Sequence, residues 1–191
     1  MKNLLIVGLG NPDTEYESTR HNVGAQFVTK LAESYFIKLK KNTNLKGFHA
    51  IHKIEGISLN LLVPSVYMNN SGQSVRATKK YLNLKASEII IVHDELDLPV
   101  GISRYKVGGG HGGHNGVRDI IENISDPSFH RIRIGIGHPG INKDVTKYVL
   151  SKPKKLDLPF IETSYSNILQ IMPKILKRDW QKAMLELHTK E

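Results

Sequence analysis

Five short polar clusters hold most of the side chains in this sequence that could do chemistry. They lie at residues 10–12, 20–22, 67–72, 93–97 and 108–116, and the first four each adjoin an apolar run. Side-chain amides, a histidine and a carboxylate gathered at strand ends can hold backbone amides and activate a water molecule. This combination predicts a hydrolase that uses neither a metal ion nor a nucleophilic side chain.

A glycine pattern offers an alternative, dinucleotide binding by a dehydrogenase. The sequence G-x-G-x-x-G occurs at residues 108–113 and 135–140, and it begins at residue 8 without its third glycine. The first match follows a predicted edge strand instead of opening a βαβ unit, and Pro139 interrupts the second. In the third, Asp13 stands where the last glycine belongs. The pattern therefore gives little support to a nicotinamide site.

A metal centre and a serine nucleophile are two further alternatives. His93, Asp94, His111 and His114 could be combined as metal ligands. A glycine-rich loop is a poor support for two fixed imidazoles, so hydrogen-bonding or surface histidines are favoured. Ser71 lies outside the G-x-S-x-G pattern that exposes a serine nucleophile. We therefore expect no metal and no cofactor.

Length and composition predict one domain over residues 1–191. The chain has 39% apolar and 24% charged residues, enough for one core, and no Pro-rich, Ser-rich or repetitive linker. Without cysteine, disulfides and thiolate metal sites are excluded. No apolar run approaches the ~18 residues of a membrane span. The first apolar run, residues 4–9, is shorter than a signal-peptide core, so we expect a cytoplasmic protein.

The charge balance favours a polyanionic partner. The chain carries 27 Lys and Arg against 18 Asp and Glu, a formal charge of +9, and the sequence pI is about 9.6. The basic residues are spread over the whole length, which predicts a basic surface on the folded domain rather than a basic tail. Solubility alone is the other explanation of such a charge.

The periodicities alternate between strand and helix along the chain. Strands are predicted at residues 3–9, 57–63, 88–92, 102–107 and 131–136, and helices at residues 23–35, 74–82, 117–124 and 156–188, the last kinked or broken at Pro173. This order predicts an α/β fold, a three-layer sandwich whose mixed, twisted sheet has parallel strands in its centre and helices on both faces. Ligands of such sheets bind beyond the carboxyl ends of the strands, where we expect Asn11, His93, Asp94 and His138.

Several longer motifs, in order along nearly the whole chain, resemble one family. They are Gly-Leu-Gly-Asn-Pro at residues 8–12, Arg-His-Asn-Val-Gly at 20–24, Tyr-Met-Asn within 64–72, His-Asp-Glu-Leu-Asp at 93–97, the segment 108–119, and Phe-His-Arg-Ile-Arg-Ile-Gly-Ile-Gly-His-Pro-Gly at 129–140. Together they are similar to the bacterial peptidyl-tRNA hydrolases. One departure is Asp13, where the family usually has glycine.

The resemblance implies hydrolysis of the ester between a peptide's carboxyl end and the terminal ribose of tRNA, which recycles tRNAs that leave the ribosome with peptide attached. It implies that His21 is the general base. The residue types agree, because imidazole titrates near neutral pH and Asp94 can hold its other nitrogen, fixing the tautomer and raising its basicity. An ester is activated relative to an amide, so one base and a positioned water can suffice.

The resemblance also implies the substrate contacts. Asn115 would place the water, Asn11 and Asn69 would hold the peptide end, and His114 would support the water network. Tyr16 and Met68 would form the apolar wall of the site. A carboxamide offers a donor and an acceptor, which matches any peptide backbone regardless of side chain.

Recognition of tRNA would depend on charge and shape, since A-form RNA hides its base edges in a deep groove. The resemblance implies that Lys106 and Arg133 hold the 5′ phosphate, while the acceptor stem and the 3′ end complete the contact. We also expect no membrane association, no obligate protein partner and a monomer. The main rival is an RNA-binding protein on the same scaffold that has lost catalysis, and the presence of His21, Asp94 and Asn115 argues against it.

Overall fold

The computed structural model describes residues 2–190. The strands are β1 (Lys2–Gly8), β2 (Lys40–Asn42), β3 (Gly47–Ile54), β4 (Ile57–Pro64), β5 (Ile89–Glu95), β6 (Ser103–Val107) and β7 (His130–Gly135). The α-helices are α1 (Val23–Ser34), α2 (Ser71–Tyr81), α3 (Asn115–Ile124), α4 (Val145–Val149), α5 (Leu158–Leu176) and α6 (Trp180–His188). Short 3-10 turns at Thr14–Tyr16, Arg20–Asn22, Met68–Asn70 and Ala86–Glu88 join them.

The seven strands form one mixed sheet in the order β2-β3-β4-β1-β5-β7-β6. The four central strands are parallel, with β1 between β4 and β5 and with β7 beside β5. The outer strands β2, β3 and β6 are antiparallel to their neighbours. The carboxyl ends of β1 and β5 therefore meet at one edge of the sheet, where the polar clusters follow them.

Helices cover both faces of the sheet. On one face α1, α5 and α6 bury the larger core, with Phe27 and Ile168 fully buried. On the other, α2 and α3 bury Val75, Val117 and Ile120. The predicted three-layer α/β sandwich is confirmed. No helix in residues 2–190 is long and apolar enough to cross a membrane.

Two glycines let α1 begin in direct backbone contact with the sheet. A Cβ atom on Gly24 would lie 2.2 Å from the carbonyl oxygen of Val92 in β5, and one on Gly8 would lie 2.3 Å from the carbonyl oxygen of Gly24. Real Cβ atoms do not approach backbone atoms this closely. The contact holds the turn before α1, which carries His21 and Asn22, against the ends of β1 and β5.

The end of α6 packs against β6, one of the two edge strands of the sheet. The Nε2 atom of His188 lies 3.0 Å from the backbone nitrogen and 3.1 Å from the carbonyl oxygen of Tyr105, in the edge strand β6. In either tautomer the imidazole can satisfy one of these two backbone groups. The Trp180 ring, at the start of the same helix, stacks 6.5 Å from the ring of Tyr105.

Three regions differ from the sequence predictions, and one of them is the short helix α4, for which no helix was predicted. The hairpin of β2 and β3 was not predicted, because β3 mixes exposed and buried side chains without strict alternation. The C-terminal helical region does not break at Pro173. Helix α5 continues to Leu176, and the break comes at Arg178, whose φ of 57° is left-handed and cannot continue a helix.

Candidate active site

The polar clusters converge on a cavity of about 530 Å³ at the carboxyl ends of β1 and β5. Eight predicted site residues line it: Asn11, Tyr16, His21, Met68, Asn69, Asp94, His114 and Asn115. His93 lines it too, whereas His138 is exposed and is not among the lining residues. Of the four residues that the sequence analysis placed at that edge, Asn11, His93 and Asp94 therefore line the cavity and His138 does not.

A buried histidine–aspartate pair lies at the centre of the cavity. The Nδ1 atom of His21 is 2.9 and 3.0 Å from the two carboxylate oxygens of Asp94. His21 is 8% exposed and Asp94 only 3%. Since a carboxylate accepts and does not donate, Nδ1 carries the proton and Nε2 keeps its lone pair. That nitrogen can accept a proton from a water molecule.

His114 gives Asp94 a second imidazole donor, which the sequence did not predict. Its Nε2 atom lies 2.9 Å from Oδ1 of Asp94. Its Nδ1 atom accepts a hydrogen bond of 3.3 Å from the backbone of Val117, which caps the N-terminus of α3. The cap requires the proton to be on Nε2. His114 therefore ties the start of α3 to the same carboxylate that orients His21.

These contacts shift the pKa values of the pair in opposite directions. Burial opposes the charge of Asp94, but His21 and His114 outweigh it and hold the pKa of Asp94 far below its usual range. Burial also lowers the pKa of His21, while the charge of Asp94 and its hydrogen bond raise it, and the net pKa of His21 lies above its ordinary value. His21 is thus a stronger base than a free imidazole.

Asn22 positions Asn11, and it was not predicted as a site residue. The backbone nitrogen of Asn11 donates to Oδ1 of Asn22 at 2.9 Å, and Nδ2 of Asn22 donates to the carbonyl oxygen of Asn11 at 2.9 Å. The side-chain oxygen of Asn11 accepts from the backbone nitrogen of Met68 at 2.8 Å. The NH₂ group of Asn11 is therefore the group directed to a ligand. Asn22 lay within the cluster at residues 20–22, the only signal that could have identified it.

Arg20 holds one wall of the cavity, and it too was missed. It is 4% exposed, and its guanidinium donates to the Ser151 hydroxyl at 2.8 Å and the Lys152 carbonyl at 2.7 Å. It also lies 4.2 Å over the ring of Tyr148. These contacts fix α4, whose residues Val145 and Val149 line the cavity.

The glycine-rich loop is anchored by Arg131. This side chain is 2% exposed and donates to the carbonyl oxygens of Gly108 and of Gly110, the latter at 2.8 Å. Four glycines of the loop have φ between 58° and 83°, a conformation that other residues rarely adopt. The glycines therefore serve loop geometry, and Arg131 is a structural cation rather than a free one.

Four basic residues share one face at the edge of the sheet. The register pairs Arg104 with Arg133 and Lys106 with Arg131, so all four side chains leave the sheet on the same side. Neither Lys106 nor Arg133 lines the cavity. Nη1 of Arg133 is 3.4 Å from Oε2 of Glu95, the residue after Asp94.

The residues that could together hold a metal ion differ from those considered in the sequence analysis. Ligand atoms of His21, Asp94 and His114 lie within 4.8 Å of one another, and this is the only such group in residues 2–190. Neither His93 nor His111 belongs to it. Nδ1 of His93 lies 2.6 Å from the carbonyl oxygen of Asp94, and burial holds the pKa of His93 well below its usual value. A metal on His114 Nε2 would require that imidazole to give up either its proton or its cap on α3.

Activity is expected to be independent of metal ions. Dialysis against a chelator should leave the rate of ester hydrolysis unchanged, because the nitrogens that face Asp94 already carry protons. Hydrolysis is measured before and after dialysis, with a substrate kept folded by monovalent salt. A rate lost on chelation and restored by one transition metal would instead assign His21, Asp94 and His114 as ligands.

The site has a polarised imidazole with carboxamides around it, and Ser71 is buried and does not line the cavity. These groups are of the types found in hydrolases. The fold and the sequence identify the family. The model of the peptidyl-tRNA hydrolase family matches residues 5–191, and the chain belongs to this family. The resemblance found in the sequence motifs is confirmed, and the chain is a carboxylic ester hydrolase.

Individual relatives match this chain over nearly their full length. The peptidyl-tRNA hydrolase of Pseudomonas fluorescens is 45% identical over 188 residues, covering 98% of this chain and 97% of the relative. That of Ruthia magnifica is 47% identical over 187 residues, covering 98% of each. The crystal structure of the Acinetobacter baumannii peptidyl-tRNA hydrolase superposes with a TM-score of 0.94 at 44% identity, covering 97% of this chain and 94% of that one.

Proposed function

We propose that this chain hydrolyses the ester of peptidyl-tRNA with His21 as general base, oriented by Asp94. The single observation that carries this proposal is the bond of 2.9 Å between Nδ1 of His21 and the buried Asp94 carboxylate. It leaves Nε2 of His21 as the free basic nitrogen on the cavity wall. The raised pKa of that imidazole supports the same role.

The proposed reaction moves one proton in two steps. Nε2 of His21 removes a proton from water as the oxygen attacks the ester carbonyl, and the imidazolium formed is stabilised by Asp94. When the intermediate collapses, the bond between the carbonyl carbon and the ribose oxygen breaks. The imidazolium returns its proton to that oxygen, which leaves as a hydroxyl of free tRNA. The peptide leaves as a carboxylic acid.

In this proposal the asparagines bind the attacking water and the peptide. Asn115 opens α3 on the cavity wall and is proposed to hold the attacking water. Asn11, through its NH₂ group, and Asn69 are proposed to bind the peptide backbone, with Tyr16 and Met68 as the apolar wall. Asn69 and Asn115 are both exposed on the cavity wall, which leaves their side chains available to substrate. His114 is proposed to hold the Asp94 carboxylate in position relative to the bound water.

The basic face at the sheet edge is the proposed site of the tRNA. Lys106 and Arg133 are proposed to bind the 5′ phosphate of the acceptor stem while the 3′ end enters the cavity. Their place on β6 and β7, beside β5, supports a fixed distance between phosphate and ester. We also propose that a monomer acts in the cytoplasm without a cofactor, an obligate protein partner or a membrane.

Replacing Lys106 or Arg133 with alanine is expected to raise KM for full-length substrate by about tenfold and to leave a minimal substrate without a 5′ phosphate unaffected. Only an interaction with phosphate is lost, at a distance from the ester. Each variant should also show a shallower dependence of affinity on salt, because fewer counterions are released. KM is measured at two salt concentrations on tRNAs with and without the phosphate.

Arg104→Ala is the matched control, since Arg104 pairs with Arg133 across the two strands on the same face. It tests whether any loss of positive charge on that face has the same effect. Equal losses on both substrates would assign Lys106 and Arg133 to the fold or the peptide site, against the phosphate proposal.

The activity itself is tested with purified N-acylaminoacyl-tRNA. The expected result is release of the acyl amino acid together with uncharged tRNA, in equal amounts. An intact substrate after long incubation with folded protein would contradict the proposed reaction. Binding of the same tRNA without release would favour the RNA-binding rival.

A further inference from the structure

A second groove, of about 680 Å³, lies directly beside the active-site cavity. The segment from Gly10 to Asp13 forms the ridge between the two, and Asn11 lines both. The far wall is formed by α1, by the end of β4 and by Phe48 of β3, with Glu162 and Tyr165 of α5. The proposed chemistry uses none of the groove beyond Asn11.

The strand order places three regions in succession across the sheet. The basic face lies on β6 and β7, the histidine–aspartate pair lies at β5 and β1, and the groove continues to β4 and β3. The basic side chains leave the sheet on its α2 and α3 side, whereas the groove lies on its α1 and α5 side, so a substrate that joins them passes over the carboxyl ends of the strands. Peptidyl-tRNA also has three parts in a line, which are the phosphates, the ester and the peptide. With phosphates at one end and the ester in the middle, the groove is where the peptide upstream of the ester would lie.

The groove is acidic, although the whole chain has a formal charge of +9. Asp13, Glu17, Glu33 and Glu162 line it, and its single lysine, Lys30, is already paired with Glu162. Such a lining repels RNA phosphates and leaves peptide as the compatible part of the substrate. The charge therefore distinguishes the two ends of the substrate as sharply as the strand order does.

The groove also has an apolar wall. Leu39, Phe48, Val63 and Pro64 line the side formed by the sheet, and Phe48 is 40% exposed. Exposed apolar surface beside hydrogen-bonding groups suits side chains of mixed character, such as the long aliphatic stem and charged end of lysine. A wall of this kind offers little to a nucleotide phosphate.

Asp13 contributes a carboxylate at the junction of groove and cavity. Its side chain accepts a hydrogen bond of 2.5 Å from the hydroxyl of Tyr67, which lines the cavity. This carboxylate adds negative charge at the entrance of the groove.

We propose that this groove binds the residues of the peptide upstream of the ester and favours peptides rich in lysine or arginine. The inference rests on the proposed function, because it takes peptidyl-tRNA as the substrate. It adds a peptide preference to a reaction otherwise indifferent to side chains. Asn11 would then hold the backbone where the peptide crosses from the cavity into the groove.

The test compares three substrates on one tRNA with alanine at the ester. They are N-acetyl-alanyl-tRNA and two N-acetyl-hexapeptidyl-tRNAs, with lysines or glutamates at the upstream positions. Six extended residues span up to about 20 Å, enough to reach past Asn11. The parent is expected to hydrolyse the lysine substrate with kcat/KM about tenfold above the glutamate substrate, a difference reduced at high salt.

Glu17→Lys combined with Glu33→Lys is expected to abolish or reverse this preference without affecting N-acetyl-alanyl-tRNA. The control is Glu55→Lys combined with Glu122→Lys, two exposed positions outside the groove with the same change in net charge. It should keep the preference of the parent. Thr29→Trp, which fills the groove from α1, should slow only the hexapeptidyl substrates.

Equal rates on the lysine and glutamate substrates in the parent would overturn the inference. So would an equal change in preference for the two double variants, since net charge would then explain it. A parent that fails to hydrolyse N-acetyl-alanyl-tRNA would contradict the proposed function instead, because that substrate does not reach the groove.

Discussion

Replacing His21 with alanine is expected to lower kcat for peptidyl-tRNA by about a hundred- to ten-thousandfold, the usual contribution of a general base. The affinity for tRNA should hardly change, because the basic face on β6 and β7 is separate from the cavity. Single-turnover hydrolysis and equilibrium binding of tRNA measure the two effects independently. Activity within about tenfold of the parent would show that His21 is not the base.

Asp94→Asn provides the graded comparison for the same proposal. An asparagine can still accept a hydrogen bond from His21, but it no longer stabilises the charged imidazole, so a smaller loss is expected. The base must be neutral, and the pKa of His21 is raised by Asp94. Activity of the parent should therefore rise with pH, with an apparent pKa above the ordinary 6.5 of histidine. In Asp94→Asn the same rise in activity should occur at lower pH.

Replacing Gly24 with alanine is expected to destabilise the fold by about 3 kcal/mol or more, at the upper end of the range for overpacking a core. The new methyl group would lie 2.2 Å from the carbonyl oxygen of Val92 and 2.8 Å from the nitrogen of Leu9, both backbone atoms that cannot rotate away. Helix α1 would have to withdraw from β1 and β5. Urea unfolding followed by circular dichroism measures the loss.

Gly110→Ala is the matched control, because its Cβ would have no neighbour within 4 Å and its φ is not positive. It should unfold within about 0.5 kcal/mol of the parent, as for an ordinary surface change. A Gly24→Ala variant as stable as this control would show that α1 can shift without cost. The contact of α1 with the sheet would then not fix the position of His21.

The periodicity of apolar residues was sufficient to predict the central strands and α1, because their buried faces require apolar side chains at regular positions. It failed for β3, whose exposed and buried side chains do not alternate strictly and which buries the polar side chain of His49 against Asn60 of β4. Buried polar groups of this kind are satisfied by tertiary partners, and a one-dimensional pattern does not show those partners.

For the site, the sequence motifs identified which residues gather but not how they contact one another. Asn11 and Asn22 are 11 positions apart, and their reciprocal hydrogen bonds depend on the turn before α1. His114 and Asp94 are 20 positions apart, joined only because the glycine loop returns over β5. Such contacts depend on backbone geometry, which residue types alone do not determine. The roles of the site residues remain proposals.

The contact between His188 and the edge strand β6 bears on how the protein behaves at high concentration. An unpaired edge is a template on which another chain can add a strand, and this is a common start of aggregation. With the His188 imidazole on the backbone of Tyr105 and α6 beside it, part of that template is already in contact with the chain's own helix. A second chain would have to displace His188 before it could pair with β6 along its whole length.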